Sequence, residues 1–232
     1  MKRLNIAVAT AVALSSVVFP ATASLVYDPA NDFSTVSNPK GVWTYGYTAG
    51  GAFTAYPQSG NIDGLDYWSI TTAPSLPWIA NNPTAATIDW IQIKVNPGEL
   101  LLHPGQNGDY TVLRFTAPSA GQYDVKGSFF GIDYVSSPTT DVHVLLNGAA
   151  IFDGNVTDYR NTIAAFDKLV TLNTGDTVDF AVGWGSNGDY FFDSTGLNAI
   201  ITAVPEPSTF MTGALILATG AISEFRRRKI AV

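Results

Sequence analysis

Tyr110-Thr111-Val112-Leu113-Arg114-Phe115-Thr116-Ala117-Pro118-Ser119-Ala120-Gly121-Gln122-Tyr123-Asp124-Val125-Lys126-Gly127-Ser128-Phe129 is the stretch that sets the architecture. Before the turn, Tyr110, Val112 and Arg114 alternate with Thr111, Leu113 and Phe115. After it, Tyr123, Val125, Gly127 and Phe129 alternate with Asp124, Lys126 and Ser128. An extended chain sends successive side chains to opposite faces, so a period of two marks a half-buried strand. The Ala-Pro-Ser-Ala-Gly run supplies turn chemistry between the two strands.

The same pattern spreads outward. Val142, Val144 and Leu146 share one face of Asp141 to Leu146, and Asn147-Gly148 is a hairpin signal before Ala149 to Asp153. Phe166 to Leu172 leads through Asn173-Thr174-Gly175-Asp176 into Thr177 to Trp184, read as a second hairpin, with Val178, Phe180, Val182 and Trp184 on one face. Leu197, Ala199 and Ile201 make a closing strand. Val42 to Tyr47 and Ile91 to Val95 also read as strands, whereas Gly50 to Asn82 reads as long ordered loops with short strands around Trp68. No stretch of the body carries a helical period, and no repeat or linker divides it. The expected fold is all-β, an antiparallel β-sandwich of jelly-roll type.

Both ends of the chain read as targeting segments. Lys2 and Arg3, the apolar run from Ile6 to Phe19, and Ala21-Thr22-Ala23 before Ser24 have the form of a secretory signal peptide, residues 1–23. At the other end, Pro205-Glu206-Pro207 precedes an apolar segment, about 208–225, diluted by Gly213 and Gly220 and interrupted by Glu224. It falls slightly short of the roughly 20 apolar residues that cross a bilayer. Arg226, Arg227, Arg228 and Lys229 follow, a cluster that stays cytoplasmic and leaves the preceding body outside. The predicted plan is signal peptide 1–23, ectodomain 24–203 and tail 204–232, with a helix expected in each terminal segment.

That tail resembles the PEP-CTERM sorting signal of Gram-negative bacteria, which also goes by the name of an ice-binding protein C-terminal domain. The resemblance rests on Pro205, Glu206, Pro207, the apolar segment and Arg226 to Lys229, about the last tenth of the chain. It implies export through the Sec translocon, transient anchoring in the inner membrane with a periplasmic ectodomain, and cutting near the triplet by an exosortase. Release to the envelope, exopolysaccharide or biofilm matrix would follow. The alternative is an ordinary single-pass tail anchor. The Thr residues of the body have no regular spacing of the kind an ice-binding face needs.

Composition narrows the partners. Between the two targeting segments there are six basic residues against seventeen acids, a net charge near −11. With no basic stripe to displace counterions, nucleic acid is excluded as a partner. The chain has no Cys, which removes thiol chemistry, thiolate metal sites and disulfides. All five Trp and all ten Tyr fall in the body, a density suited to a sandwich core or to sugar stacking. At Ala120-Gly121-Gln122-Tyr123 and Gly175-Asp176-Thr177-Val178, the body resembles carbohydrate-binding modules and galactose-binding-like jelly rolls. This resemblance implies a jelly-roll fold; targeting, that fold and the aromatic-rich loops together point to a non-catalytic extracellular sandwich that binds glycan or matrix or contributes structurally to it.

Candidate site residues follow from these readings. Trp43, Trp68 and Trp78 are candidates to stack on a pyranose ring, while Trp184 ends an apolar face and reads as core. Asp153, Asn155, Asp158 and Asp189 offer oxygen donors on turns, a possible structural calcium site without an EF-hand pattern; no other cofactor is expected. An exopolysaccharide hydrolase or lyase is the competing reading. It needs two positioned carboxylates, which Asp133, Asp141, Asp153, Asp158, Asp189 and Asp193 offer in number without showing a pair. Of the two imidazoles, His103 is expected in a loop before Pro104-Gly105 and His143 on a strand, and neither has a nucleophile motif beside it. No catalytic residue is assigned.

Overall fold

The computed structural model describes residues 24–72 and 75–205. The expected signal peptide with Ala21 and Ala23, and the tail from Glu206 through Pro207 and the apolar segment to Arg226, Arg227, Arg228 and Lys229, lie outside them. In chain order the strands are β1 (Val26–Tyr27), β2 (Trp43–Ala49), β3 (Ala52–Ala55), β4 (Gln58–Ile62), β5 (Leu65–Ser69), β6 (Trp78–Asn81), β7 (Ile88–Trp90), β8 (Ile93–Val95), β9 (Leu100–His103), β10 (Tyr110–Thr116), β11 (Gly121–Gly131), β12 (Thr140–Leu146), β13 (Ala149–Val156), β14 (Ile163–Leu172), β15 (Thr177–Gly183) and β16 (Thr195–Val204). A single 3-10 turn, Gly185–Asn187, is the only helical segment among the described residues.

Two antiparallel sheets face each other. The first runs β14-β11-β16-β9-β6-β5-β4, and β1 pairs with the far end of β16. The second runs β13-β12-β15-β10-β2-β3. Alternation on the inward faces fills the space between them: Trp43, Tyr45, Leu113, Phe115, Val142, Val144, Val178, Phe180 and Val182 from one sheet meet Trp68, Ile79, Leu100, Leu102, Tyr123, Val125, Phe129, Leu197 and Ile201 from the other. Rings pack through this layer, as in the Phe129, Phe166 and Phe180 chain, whose planes are tilted to one another with centroids 5.6 Å apart. The fold is the expected antiparallel β-sandwich.

The strand pattern holds in part and is corrected in three places. Asn147-Gly148 closes the β12–β13 hairpin with φ of 50° and 82°, the left-handed pair that a tight hairpin turn requires. The segments on either side of Asn173 to Asp176 are both strands, but they do not form a hairpin: β14 pairs with β11, and β15 pairs with β10 and β12. The turn carries the chain across the core from one sheet to the other. So does the turn after Phe115, and the two crossings are tied together, Ala117 N–H to Asp176 O and Gly175 N–H to Ala117 O, each 2.9 Å. Ile91 to Val95 is not one strand, because the chain reverses at Ile91 and Gln92 between β7 and β8. Gly50 to Asn82, expected to be mostly loop, holds β3, which edges the second sheet, and β4, β5 and β6, which meander at one side of the first.

One feature of the first sheet positions the site. Every residue of β6 and β9 is buried, which a one-sided sandwich sheet does not require. The β7–β8 hairpin lies across the outer face and covers Leu65, Tyr67, Trp78, Ala80, Leu101, Phe130 and Ile132 with Ile93 and Val95. This second apolar cluster is clamped at one side by Arg160, whose two terminal nitrogens reach Glu99 Oε1 and Oε2 at 2.8 Å and Lys94 O at 2.8 Å. Gly196 is required beneath it, because a Cβ there would overlap the Phe130 ring. The hairpin stops short of covering the whole face, and a cleft remains beside it.

Candidate functional site: an aromatic cleft on the outer face

The cleft has a volume of about 320 Å³ and is lined by Leu76, Trp78, Trp90, Ile91, Gln92, Ile93, His103, Tyr190, Phe191, Phe192 and Ser194. That volume is at the low end for small-ligand sites. Trp78 and His103 form its floor, and they are direct cross-strand partners on β6 and β9. The β7–β8 hairpin supplies one wall through Trp90, Ile91 and Ile93. The segment between the 3-10 turn and β16 supplies the other through Tyr190, Phe191 and Phe192.

Local chemistry holds each wall. Trp90 Nε1–H donates to Asp63 Oδ2 at 2.8 Å, and its ring lies 5.6 Å from that of Trp78. Tyr190 and Phe191 stack on each other with centroids 4.5 Å apart, and Tyr190 meets the His103 ring edge to face at 6.4 Å. Asp189 caps their segment by accepting from the Phe191 N–H. Two lining residues are held in left-handed backbone, Ile91 at φ 55° and Phe192 at φ 65°. For a β-branched residue this is a true outlier, costing on the order of 1–3 kcal/mol, and such strain gathers at ligand sites. Ile91 and Phe191 are also 74% and 56% exposed, so the rim displays apolar surface to water.

No residue lining the cleft carries a formal charge at neutral pH. Burial lowers His103 to about 4, against the opposing effect of its bond to Pro104 O, so its ring is neutral. Two carboxylates lie behind the wall rather than in it. Asp133 Oδ2 accepts from the Ser194 N–H at 2.7 Å, and Asp193 Oδ1 accepts from the Thr139 N–H at 2.7 Å. Both are fully buried, and the second oxygen of each has no partner. Burial raises each to about 6, with hydrogen bonds pulling the other way. Their bonded oxygens hold the backbone at Ser194 and Thr139, and both side chains are sealed from solvent.

The residues expected from sequence fall in different places. Trp43 is 1% exposed, with Nε1–H donating to Asp32 Oδ2, and Trp68 is sealed in the core, stacked on Tyr45 and donating to Ser34 O. Neither ring presents a face to solvent, which corrects their placement on a stacking surface; both are inward positions of sandwich strands. Trp78 is buried as well, yet it borders the cleft. Trp184 follows the end of β15, half-buried over Gly108. His103 is the last residue of β9, not a loop residue.

The four calcium candidates do not converge. Asp153 Oδ1 meets His143 Nδ1, Asp158 Oδ2 accepts from Thr162 Oγ1–H, Asn155 lies on edge strand β13, and Asp189 caps the segment that leads into the cleft wall. Among the described residues, no group of three His, Cys, Asp or Glu is placed to hold a metal ion. A separate polar cluster occupies the outer face of the second sheet: His143 lies between Asp141 and Asp153, at 3.0 and 2.5 Å, and Tyr110 O–H donates to Asp141 at 2.6 Å. Sequence reasoning missed Trp90, Tyr190 and Phe191. The signal for the last two was the run Tyr190-Phe191-Phe192 in an otherwise polar loop.

No protein-family model matches the chain, and no curated protein does. Among solved structures it is similar to a family 35 carbohydrate binding module from Clostridium thermocellum, at 13% identity and a TM-score of 0.31, over 78% of this chain and 98% of that one. It is also similar to CBM51 from Clostridium perfringens GH95 in complex with methyl-galactose, at 10% identity and a TM-score of 0.35, over 76% and 99%. Pika GITRL is a third, at 20% identity and a TM-score of 0.27, over 42% and 75%. Likeness at this level assigns neither a ligand nor a site.

Proposed function

We propose that the chain is an exported, non-catalytic matrix or envelope protein whose jelly-roll body binds a neutral glycan in the outer-face cleft. One observation carries the reading: a cleft of monosaccharide size is walled by Trp90, Tyr190 and Phe191, floored by Trp78 and His103, and free of formal charge. Sugars present apolar C–H faces flanked by hydroxyls, which aromatic walls with a few neutral polar groups complement. The absence of a cation in the lining disfavours uronic acids and sulfated sugars. The termini support delivery: a signal peptide by the Sec route, a brief inner-membrane stage with the body in the periplasm, then exosortase cutting near Pro205 and release to polysaccharide matrix.

The hydrolase or lyase alternative requires two carboxylates facing the ligand. Asp133 and Asp193 are close to the cleft but sealed behind it, so no observation favours that reading. A glycan array and a polysaccharide pull-down with the full-length chain test the proposal. Binding to neutral glycans that disappears in Trp90→Ala is expected. Blank results on both with the wild type would retire it, and turnover of any polysaccharide in the pull-down supernatant would move the chain to the enzyme class. Mass spectrometry of the mature C-terminus tests the sorting step, with a new end near Pro205 expected and an intact Arg226 to Lys229 tail counting against it.

A further inference from the structure

His103 has its tautomer fixed by the backbone. Nδ1 lies 2.8 Å from Pro104 O, and a carbonyl oxygen only accepts, so Nδ1 carries the proton. The ring is neutral, which leaves Nε2 as a bare lone pair. Nε2 has no hydrogen-bond partner among the described residues, yet unlike Tyr45 Oη, Asp133 Oδ1 and Asp193 Oδ2 it is not sealed from solvent. Trp78, its cross-strand partner, is in the same situation with the opposite polarity, its Nε1–H donor unpaired and not sealed away. The floor of the cleft therefore carries one acceptor and one donor on paired residues of adjacent strands, in a lining whose other polar side chains are Gln92, Tyr190 and Ser194.

This pair is held more firmly than a surface pair would be. Thr111 Oγ1–H bonds His103 O, and the same hydroxyl lies 3.3 Å from Trp78 O, so one side chain from the opposing sheet pins both strands where the two residues sit. The rings themselves are held by the Nδ1 bond to Pro104 O, by Tyr190 against the imidazole and by Trp90 against the indole. Both atoms reach solvent, so water meets them in the free chain and a ligand hydroxyl must reproduce the bonds it displaces.

We propose that His103 is the specificity-determining residue of the cleft: its Nε2 accepts a hydrogen bond from a ligand hydroxyl that in turn accepts from Trp78 Nε1–H. A single hydroxyl satisfies both, being donor and acceptor at once, while an ether, a fluorine or a hydrogen at the same ring position leaves the His lone pair unmet. The site therefore selects pyranosides with a free hydroxyl at one position. This inference rests on the glycan-binding reading above.

The test titrates the full-length chain by calorimetry with methyl pyranosides of glucose, galactose and mannose, followed by each monodeoxy, monofluoro and mono-O-methyl derivative of whichever binds. One position is expected to stand out, with replacement of its hydroxyl weakening binding on the order of tenfold. His103→Phe is expected to lose the same factor for the parent sugar while leaving the derivative at that position unchanged, and His103→Gln, which keeps an acceptor, to recover most of it. Long-range nitrogen–proton correlation spectra of the imidazole in the wild type give a reading that needs no variant: Nδ1 protonated and Nε2 bare are expected. A sugar that binds with no position standing out, or a ring protonated on Nε2, overturns the assignment of His103 and leaves the glycan reading intact. Failure of the wild type to bind any sugar overturns the glycan reading, and this assignment with it.

Discussion

The sandwich interior and the outer-face cleft are both built from aromatic residues, and they differ in how those residues are satisfied. Inside, Trp43 and Trp68 are sealed and their indole N–H groups donate to Asp32 and Ser34. In the cleft, Trp78 keeps an unpaired N–H, Phe191 is half exposed, and Ile91 and Phe192 hold left-handed backbone. Apart from the unpartnered Tyr45 Oη, the interior avoids open valences, strain and wet apolar surface; the cleft combines all three. Folding stability and ligand binding should therefore respond oppositely to mutation in the two regions.

The largest effect on folding is expected in the interior. Phe180 is fully buried at the meeting of the two sheets, against Phe166. Phe180→Ala removes a large ring where close-packed neighbours cannot collapse fully, and should cost about 3–5 kcal/mol in urea denaturation. If the variant that folds binds sugar as the wild type does, the two regions are separable.

Arg160 comes next, because it joins the interior to the cleft. Glu99 is nearly buried, and Arg160→Met leaves its carboxylate without its cation, at a cost of about 3 kcal/mol. The loss loosens the β8–β9 connection under the hairpin, so binding should weaken as well. A variant with full stability would show that the second cluster holds without its clamp.

How much of this was legible in the sequence depends on the kind of signal. Alternation in Tyr110 to Phe129 and the Asn147-Gly148 turn are local, and they survived. Partner choice is not local: Asn173 to Asp176 has the same turn chemistry whether its flanking strands pair with each other or cross to opposite sheets. Ile91 hid a reversal because a β-branched residue is a poor turn former, and only the fold imposes φ 55° on it. For the site, an indole alternating inward on a strand and one bordering a cleft look alike in sequence. Trp43 and Trp68 point between the sheets, whereas Trp78 points to the outer face, where the β7–β8 hairpin lies over it.

Acid–base behaviour gives a smaller effect of the opposite sign. Burial raises Asp133 to about 6, so the folded chain holds that proton more tightly than the unfolded chain does. The stability this contributes is full below the ordinary carboxylate range and is lost as pH rises through about 6, leaving a buried charge as a net cost at neutral pH. Asp133→Asn keeps an acceptor for the Ser194 N–H and should raise stability at pH 7 by about 2 kcal/mol, with the gain vanishing near pH 4. An unchanged pH profile in calorimetry would mean that Asp133 ionises freely.

His143 tests the second sheet in the same way. Its hydrogen bond to Asp141 is the main cause of its raised pKa; burial opposes, and Asp153 adds to the rise. Only an imidazolium donates to both carboxylates. Its stabilisation is therefore present in full below the free-histidine range and is lost as pH rises through the elevated folded value. His143→Gln should flatten the fall in Tm above about pH 6.5, and sugar binding should not change, because the cluster lies on the other sheet.

Phe191 reverses the order of the two readouts. The side chain is 56% exposed and, among the described residues, stacks on Tyr190 alone, so Phe191→Ala removes little buried surface and should change folding stability by less than about 0.5 kcal/mol. As a cleft wall, the same ring would shield one side of the sugar proposed to bind there. Its loss should weaken binding roughly tenfold in calorimetric titration, through lost stacking and a wetter floor over His103. Equal destabilisation of folding and binding would make Phe191 one more packing residue, and the contrast between interior and cleft would fail at the position where it should be clearest.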